Sequence, residues 1–347
     1  MRIGRIPLLA MILAAGPGWT GGLEVSGWLP CDYDFENAFR TVHDHLDRLA
    51  AVSPFWLHPL ADGGVTAYEP DPANHNGKRL AQCESVILAV CRARGVRVYP
   101  SLGEAPDRFG KGLAREIVVD PARRARHIAS VTAFVAEHGY DGLDLDYEAL
   151  LAADRPAFTR FVAALSAALH AGGKRLTLPV HAKTAEPGNW DGPQAQDWKA
   201  LGKSVDRLRV MAYDFHEDSS APGPIAPPAW FREILAFALT QVPPGKLEMG
   251  LPTYAYDWEP GGAEEVTARG APGLAAARKV PLLWDPASGG AHFAYDDDGR
   301  AHEVWVEDAR GLPAKLRLVR QAGIAGVAVW RLGAEDADFW AALDREP

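Results

Sequence analysis

The sequence predicts an α/β fold, a (β/α)8 TIM barrel with a small β-rich insertion between the seventh and eighth strands. Three observations predict it. Short apolar runs of strand length alternate with amphipathic helical stretches from Leu23 almost to the C-terminus. The strand-like runs number eight, as a closed parallel barrel requires. The length of 347 residues suits one barrel with an insertion.

The first strand is expected at Leu23–Trp28. A helix follows at Phe35–Ala50, with Phe35, Ala38, Phe39, Val42, Leu46 and Leu49 near one face. The second strand is Val52–Leu57, followed by a helix at Lys78–Arg94 and a third strand at Val96–Ser101. Asp120 supplies an N-cap and Pro121 a first-turn proline, so a helix starts there and runs to His138. The fourth strand is Gly142–Glu148. Its helix, Arg155–Ala171, carries Phe158, Phe161, Val162, Leu165 and Leu169 on one stripe and stops at Gly172-Gly173.

Leu176–His181 is the fifth strand, with a short helix at Gln194–Leu201 after it. The sixth strand is Arg207–Asp214. A helix at Ala229–Gln241 leads to the seventh, Leu247–Tyr254, and one at Pro313–Ala322 leads to the eighth, Gly326–Leu332. The gap from Tyr254 to Gly326 is far longer than one βα connection. Strand-like pieces at Pro281–Trp284, Ala291–Tyr295 and Glu303–Glu307 flank the turn Asp297-Asp298-Gly299, placing the insertion at about residues 259–312.

Residues 1–22 have the pattern of a signal peptide and leader. Arg2 and Arg5 flank the start of an apolar run, Ile6–Ala15, that ends in small residues. A secreted or periplasmic location is expected, with residues 23–347 forming the barrel domain. The apolar run is too short to span a bilayer, and no other stretch is long enough. The net charge of −9 and the lack of a basic run argue against a nucleic-acid partner. Arg123-Arg124-Ala125-Arg126 is read as a solvated helix face. The acidic balance gives no attraction to an anionic membrane.

Of three cysteines, Cys83 and Cys91 lie eight apart on one helix, about 12 Å at helical rise, too far to bridge. Cys31 is left able to pair with either, with buried thiols the default. No Cys/His grouping suggests a metal, and no cofactor is expected. Nothing in the pattern specifies an oligomeric state.

Chemistry concentrates on the fourth strand, Asp141-Gly142-Leu143-Asp144-Leu145-Asp146-Tyr147-Glu148. Alternation puts Asp144, Asp146 and Glu148 on one face, and Leu143, Leu145 and Tyr147 on the other. The apolar set belongs under the helices, so the acidic set points into the barrel. Three carboxylates in file are costly to bury unless they share protons or hydrogen bonds. Glu148 stands at the C-terminal end of the strand, where barrel enzymes place catalytic groups. Asp146, roughly 6–7 Å behind it, is expected to raise its pKa.

This segment resembles the DxxDxDxE motif of family 18 glycoside hydrolases, the chitinase family. The resemblance implies that Glu148 protonates the glycosidic oxygen and that the substrate's own N-acetyl oxygen is the nucleophile. It further implies that Asp146 orients the acetamido group, that Asp144 is the charge and proton partner behind it, and that Asp141 is a structural hydrogen-bonder. Met211-Ala212-Tyr213-Asp214 resembles the family's MxYD motif, which implies Tyr213 on the acetamido oxygen and Asp214 either on the −1 sugar or in the network of Asp146. Trp330, ending Gly326-Val327-Ala328-Val329-Trp330, resembles the floor of the −1 subsite.

Ser101-Leu102-Gly103-Glu104 matches the family's SxGG only in part. Met211–His216, Pro222–Ile225, Gly250–Tyr254 with Tyr256-Asp257-Trp258, and Trp330–Gly333 are most similar to spore-cortex-lytic and germination-type members, and to family 18 modules fused to polysaccharide deacetylases. Trp28, Trp56, Tyr254, Trp258 and Met211 are further subsite candidates. His181 and His216 are read as packing or hydrogen-bonding groups, and His292 and His302 as surface residues of the insertion. The implied activity is hydrolysis of glycans containing β-linked N-acetylglucosamine. The intact Glu148, with Asp146 and Tyr213, favours this over a catalytically silent, lectin-like protein on the same barrel.

Overall fold

A computed structural model of the chain describes residues 22–31, 34–67, 75–104 and 112–345. The expected leader lies, but for Gly22, outside the described residues. The strands are β1 Glu24–Pro30, β2 Ala51–Pro59, β3 Val65–Thr66, β4 Arg97–Val98, β5 Ser101–Gly103, β6 Gly142–Asp146, β7 Arg175–His181, β8 Arg207–Met211 and β9 Leu247–Pro252. They continue with β10 Tyr254–Glu259, β11 Gly262–Thr267, β12 Leu283–Asp285, β13 Gly290–Asp297, β14 Arg300–Val306 and β15 Gly326–Trp330.

The barrel runs β1-β2-β5-β6-β7-β8-β9-β15 and closes where β15 pairs in parallel with β1. The eight-stranded closed barrel is the fold expected from the alternation of runs. The stripe Phe158, Phe161, Val162, Leu165 and Leu169 is buried under helix Arg155–Ala171. Each such side chain contributes about 1.5–3 kcal/mol on burial. Asp120 caps helix Pro121–Glu137 as expected, its Oδ1 accepting from the N–H groups of Ala122 and Arg123 at 2.8 Å each. The arginine cluster that follows is tied down locally: Arg123 pairs with Glu116, and Arg126 Nε donates to the Asp62 carbonyl.

Several boundaries differ from expectation. The third strand splits into β4 and β5 because Pro100 lacks the N–H that the ladder needs between them. The first helix stops at Asp44, and the chain turns through residues 45–48 while Leu46 and Leu49 stay buried. Helices at Leu113–Val119 and Phe339–Arg345 were not expected.

The seventh strand ends at Pro252. Thr253 turns the chain out of the barrel, and Tyr254 opens a separate antiparallel sheet, β11-β10-β14-β13-β12. This insertion therefore starts a strand earlier than the expected boundary near 259. It has its own core of Ala255, Ala291, Phe293, Val304 and Val306. A buried ion pair, Lys315 Nζ to Glu307 Oε2 at 2.5 Å, fixes its last strand to helix Leu312–Ala322. His302, expected at the surface, is mostly covered: its Nδ1 lies 2.9 Å from Asp257 Oδ1 and its ring stacks on Tyr295. All three cysteines are buried, and burial pushes the Cys91 thiol up to about 12.

Candidate active site

The alternation along β6 holds in three dimensions. Leu143, Leu145 and Tyr147 are buried on the helix side, where Tyr147 stacks on Phe161 and its hydroxyl lies 2.7 Å from His127 Nε2. Asp141 Oδ2 accepts the Val98 N–H at 2.8 Å, a backbone-holding bond between strands. Asp144 lies at the bottom of the inward file, fully buried.

Asp144 is neutralised and saturated. Its Oδ2 accepts from Trp28 Nε1 and Ser101 Oγ, each at 2.8 Å. Its Oδ1 accepts from Thr177 Oγ1 at 2.5 Å and Arg209 Nη1 at 3.0 Å. Arg209 also reaches Ser53 Oγ at 2.6 Å and Glu248 Oε2 at 3.0 Å, and Ser26 Oγ donates to the same Glu248 oxygen. Sequence reading missed Arg209. A signal was present: β8 places an arginine between Leu208 and Val210, both buried toward the helices.

Asp146 is buried one same-face step above Asp144. Its carboxyl is held well above the ordinary range by loss of solvent first, then by the charges of Glu148 and Asp144 and a hydrogen bond shared with Glu148. Its Oδ1 is buried and has no hydrogen-bond partner among the described residues. The barrel encloses Asp146, while the Glu148 side chain is 46% exposed. Strand pairing also ends at Asp146, so Glu148 stands just beyond the ladder at the mouth of the barrel. Its Oε2 lies 3.7 Å from Nε2 of His181, whose own pKa is lowered by burial and partly restored by that carboxylate.

The expected sixth strand ends early, at Met211. Tyr213 follows, buried beside Gly250, where a Cβ would lie 2.7 Å from the Tyr213 ring. Burial, then Asp214, Glu148, Asp146 and Asp144, hold the Tyr213 hydroxyl in its protonated form, fit to donate. Asp214 has φ +63°, a left-handed geometry costing roughly 1–2 kcal/mol away from glycine. The Tyr254 hydroxyl donates to Asp214 Oδ1, and Tyr256 approaches the same oxygen at 3.4 Å. Loss of solvent nonetheless raises the Asp214 carboxyl to about 6.

The aromatic candidates separate into two sets. Trp330 is half-buried at the end of β15, edge-on to Trp28 at 6.0 Å and to Phe55 at 5.8 Å. Trp28, Trp56, Tyr254 and Trp258 are buried, so they lie beneath the surface rather than on it. Trp28 and Tyr254 instead hold Asp144 and Asp214. Trp258 donates from Nε1 to the Glu217 carbonyl at 3.1 Å. Ser101 of the partial third-strand motif is an Asp144 donor, while Glu104 accepts the Ala114 N–H at 3.0 Å.

A groove of about 1010 Å³ opens beside these groups. Glu148, Met211, Tyr213, Asp214 and Tyr256 line it, together with His181, Trp190, Phe215 and Trp230. Trp190 and Phe215 are on loops, where hydrophobic periodicity carries no signal, and sequence reading did not single them out.

A carboxylate file rising to a half-exposed glutamate at the C-terminal mouth of a parallel barrel, beside a groove, is glycoside-hydrolase geometry. Residues 62–335 match glycosyl hydrolases family 18. The chain belongs to this family. It is 34% identical over 230 residues to the putative sporulation-specific glycosylase YdhD of Bacillus subtilis, covering 65% of this chain and 54% of that protein. With the cortical fragment-lytic enzyme of Bacillus cereus it shares 30% identity over 305 residues, 84% of this chain and 68% of the relative.

Among solved structures, a chitinase from Chromobacterium violaceum has a TM-score of 0.81 at 27% identity, covering 93% of this chain and 98% of that one. The spore cortex-lytic enzyme SleL of Bacillus cereus has a TM-score of 0.79 at 25% identity, over 92% and 73% of the two chains. The family 18 chain thus spans only about half the length of some relatives, 54% of YdhD and 56% of the Bacillus anthracis cortical fragment-lytic enzyme. The likeness to spore-cortex-lytic members expected from the motifs is borne out.

Proposed function

We propose that this family 18 chain hydrolyses glycans containing β-linked N-acetylglucosamine, chitin-like or peptidoglycan, by a retaining, substrate-assisted mechanism. One observation carries the mechanism: Asp146 is buried against Glu148 with its Oδ1 unpartnered among the described residues. An unsatisfied buried acceptor costs about 1–3 kcal/mol unless a ligand donor meets it. The N–H of a 2-acetamido group is such a donor.

With a sugar on Trp330, Glu148 gives its proton to the glycosidic oxygen as that bond breaks. The acetamido oxygen attacks the anomeric carbon, and the acetamide becomes a cyclic oxazolinium. Asp146 accepts the N–H, and its negative charge stabilises the positive charge that develops on the ring. Tyr213 donates to the acetamido oxygen and aims it. Glu148, now ionised, takes a proton from water as the water opens the ring, which restores the acetamide with net retention. Asp214 lies on the groove wall in reach of the same sugar. Arg209 pairs with Asp144 and fixes it below Asp146, where its charge adds to the burial that raises the Asp146 carboxyl.

The test is Glu148→Gln assayed on chito-oligosaccharides and on glycan strands. Loss of turnover with unchanged folding is expected, on the order of 10²–10⁴-fold for removal of a general acid. Wild-type rates in that variant, or indifference of the native chain to a thiazoline analogue of the oxazolinium, would falsify the mechanism.

A further inference from the structure

We infer that His181 is a positioning residue for Glu148: its neutral ring donates from Nε2 to the Glu148 carboxylate once the acid has given up its proton, and its protonated ring slows turnover. The inference rests on the reading of Glu148 as the acid. A group that serves as acid and then as base passes through its ionised form in every turnover. A donor fixed beside it lowers the cost of that form.

Geometry joins the two side chains. His181 ends β7, and Glu148 stands just past the end of the neighbouring β6. Nε2 of the ring lies 3.5 Å from the Glu148 carbonyl oxygen and 3.7 Å from its Oε2. Both oxygens are acceptors, so the neutral ring carries its proton on Nε2, facing Glu148. Asp146 meets Glu148 from within the barrel through a shared hydrogen bond, and His181 meets it from the adjoining strand. The distance to Oε2 is that of an ion pair, and catalytic hydrogen bonds commonly tighten only when substrate is bound.

The ring is wedged in place. The His181 N–H donates to Gln196 Oε1 at 2.8 Å. Trp190 packs against the imidazole with ring centres 4.5 Å apart. Gly192 leaves the space that the ring fills, since a Cβ there would stand 2.7 Å from His181 Cδ2. Nε2 is thereby kept on Glu148.

The surrounding charges leave Glu148 as the one that matters. Across β8 the partner of His181 is Met211, and Tyr213 and Asp214 beyond it line the same groove. On the loop after β7, Lys183 and Arg155 both pair with Glu186, at 3.0 and 2.7 Å, and Asp191 Oδ1 accepts the Ala152 N–H at 3.0 Å. Among the described residues, Glu148 is the charge that acts on the ring: burial pushes the imidazole below the usual histidine range, and the carboxylate partly restores it. The ring is therefore neutral near neutral pH and becomes a cation on acidification. A cation there stands beside the sugar on which positive charge develops, and it weakens Glu148 as the base for water. Asp214, raised to about 6, also titrates on the acid side, so the two contributions are separated by substitution.

The experiment is a set of pH–rate profiles on a chito-oligosaccharide for wild type, His181→Gln, His181→Met and Asp214→Asn, with thermal unfolding of each. Glutamine sets an amide donor where Nε2 stands and cannot become a cation. Methionine keeps bulk and offers no donor. At neutral pH His181→Met should cut kcat about tenfold, as for a lost hydrogen bond to a charged group, and His181→Gln should recover most of that loss. The acidic limb of kcat should move down by about one pH unit or more in both His181 variants. A ring that only fills space would cost Tm and leave the limb where it is. In the native chain, NMR titration of His181 should give a lower pKa in Glu148→Gln than in wild type, because the carboxylate that favours the imidazolium is gone.

An acidic limb that stays put in both His181 variants, or moves only in Asp214→Asn, overturns the role of His181 and leaves Glu148 as the acid. So does a His181 pKa that Glu148→Gln does not move. Equal losses of kcat in the glutamine and methionine variants overturn the donor. Wild-type turnover in Glu148→Gln overturns both the positioning role and the reading beneath it.

Discussion

Arg209 Nη1 lies 3.0 Å from Asp144 Oδ1, both side chains sealed inside the barrel. The pair joins β6 to β8, and Glu248 on β9 completes a triad on the same guanidinium. Breaking one partner of such a set strands the others. Arg209→Met is expected to cost about 3–5 kcal/mol, because Asp144 then remains buried without a cation while Glu248 keeps only Arg207, 3.4 Å away. Urea denaturation measures it. Adding Asp144→Asn should recover part of the loss, and a variant as stable as wild type would show that the triad is not coupled to folding.

Asp146→Asn isolates the role of the enclosed carboxyl. Its repulsion with Glu148 favours one shared proton on the pair, which is lost as pH rises through the raised pKa of Asp146. Removing that charge should move the basic limb of kcat/KM to lower pH and cut kcat on the order of 10²-fold. A pH–rate profile on chito-oligosaccharides checks both, and an unmoved basic limb would sink the pairing.

Asp214 makes a stability prediction with a definite sign. Its folded pKa is raised from 3.8 to about 6, so between those values the folded chain holds a proton that the unfolded chain has released. That carboxyl therefore favours folding at low pH and opposes it progressively as pH rises through about 6. The effect is muted because Asp214 keeps one face open to the groove. Asp214→Asn should gain Tm relative to wild type at pH 7 and gain little or nothing at pH 4. A gain of equal size at both pH values would contradict the linkage.

Gly250 sets the depth of Tyr213. A Cβ there would stand 2.7 Å from the Tyr213 ring and 2.8 Å from the Val210 carbonyl. Gly250→Ala is expected to destabilise by about 1–3 kcal/mol and to displace the phenol. Because the phenol is assigned to the acetamido oxygen, kcat should fall with it and Tyr213→Phe should add little further loss. Kinetics of the two single variants and the double variant decide the matter.

Much of the fold and the heart of the site were legible in the sequence because their causes are local. A period of two placed Asp144, Asp146 and Glu148 on one face of a strand and Leu143, Leu145 and Tyr147 on the other. The stripe from Phe158 to Leu169 and the Asp120-Pro121 cap marked their helices by spacing alone. The order of these elements then fixed a parallel barrel, with Glu148 at its functional end. Where a break depended on one residue's contacts, as at Thr253, the expected strand ran on too long.

Tertiary structure decided what depends on segments far apart in the chain. Asp144 is neutralised by Arg209, 65 residues away, and by donors from Trp28, Ser101 and Thr177 on three other strands. That the Asp146 carboxyl is raised follows from its enclosure by the barrel. Trp28 and Tyr254 became supports, while Trp190 and Phe215 emerged as groove aromatics, because burial is a property of packing and not of residue type. The sequence by itself determined a carboxylate file ending in Glu148. Only the closed barrel decided which of those carboxyls is paid for by an arginine, which is left wanting a donor, and which meets the solvent.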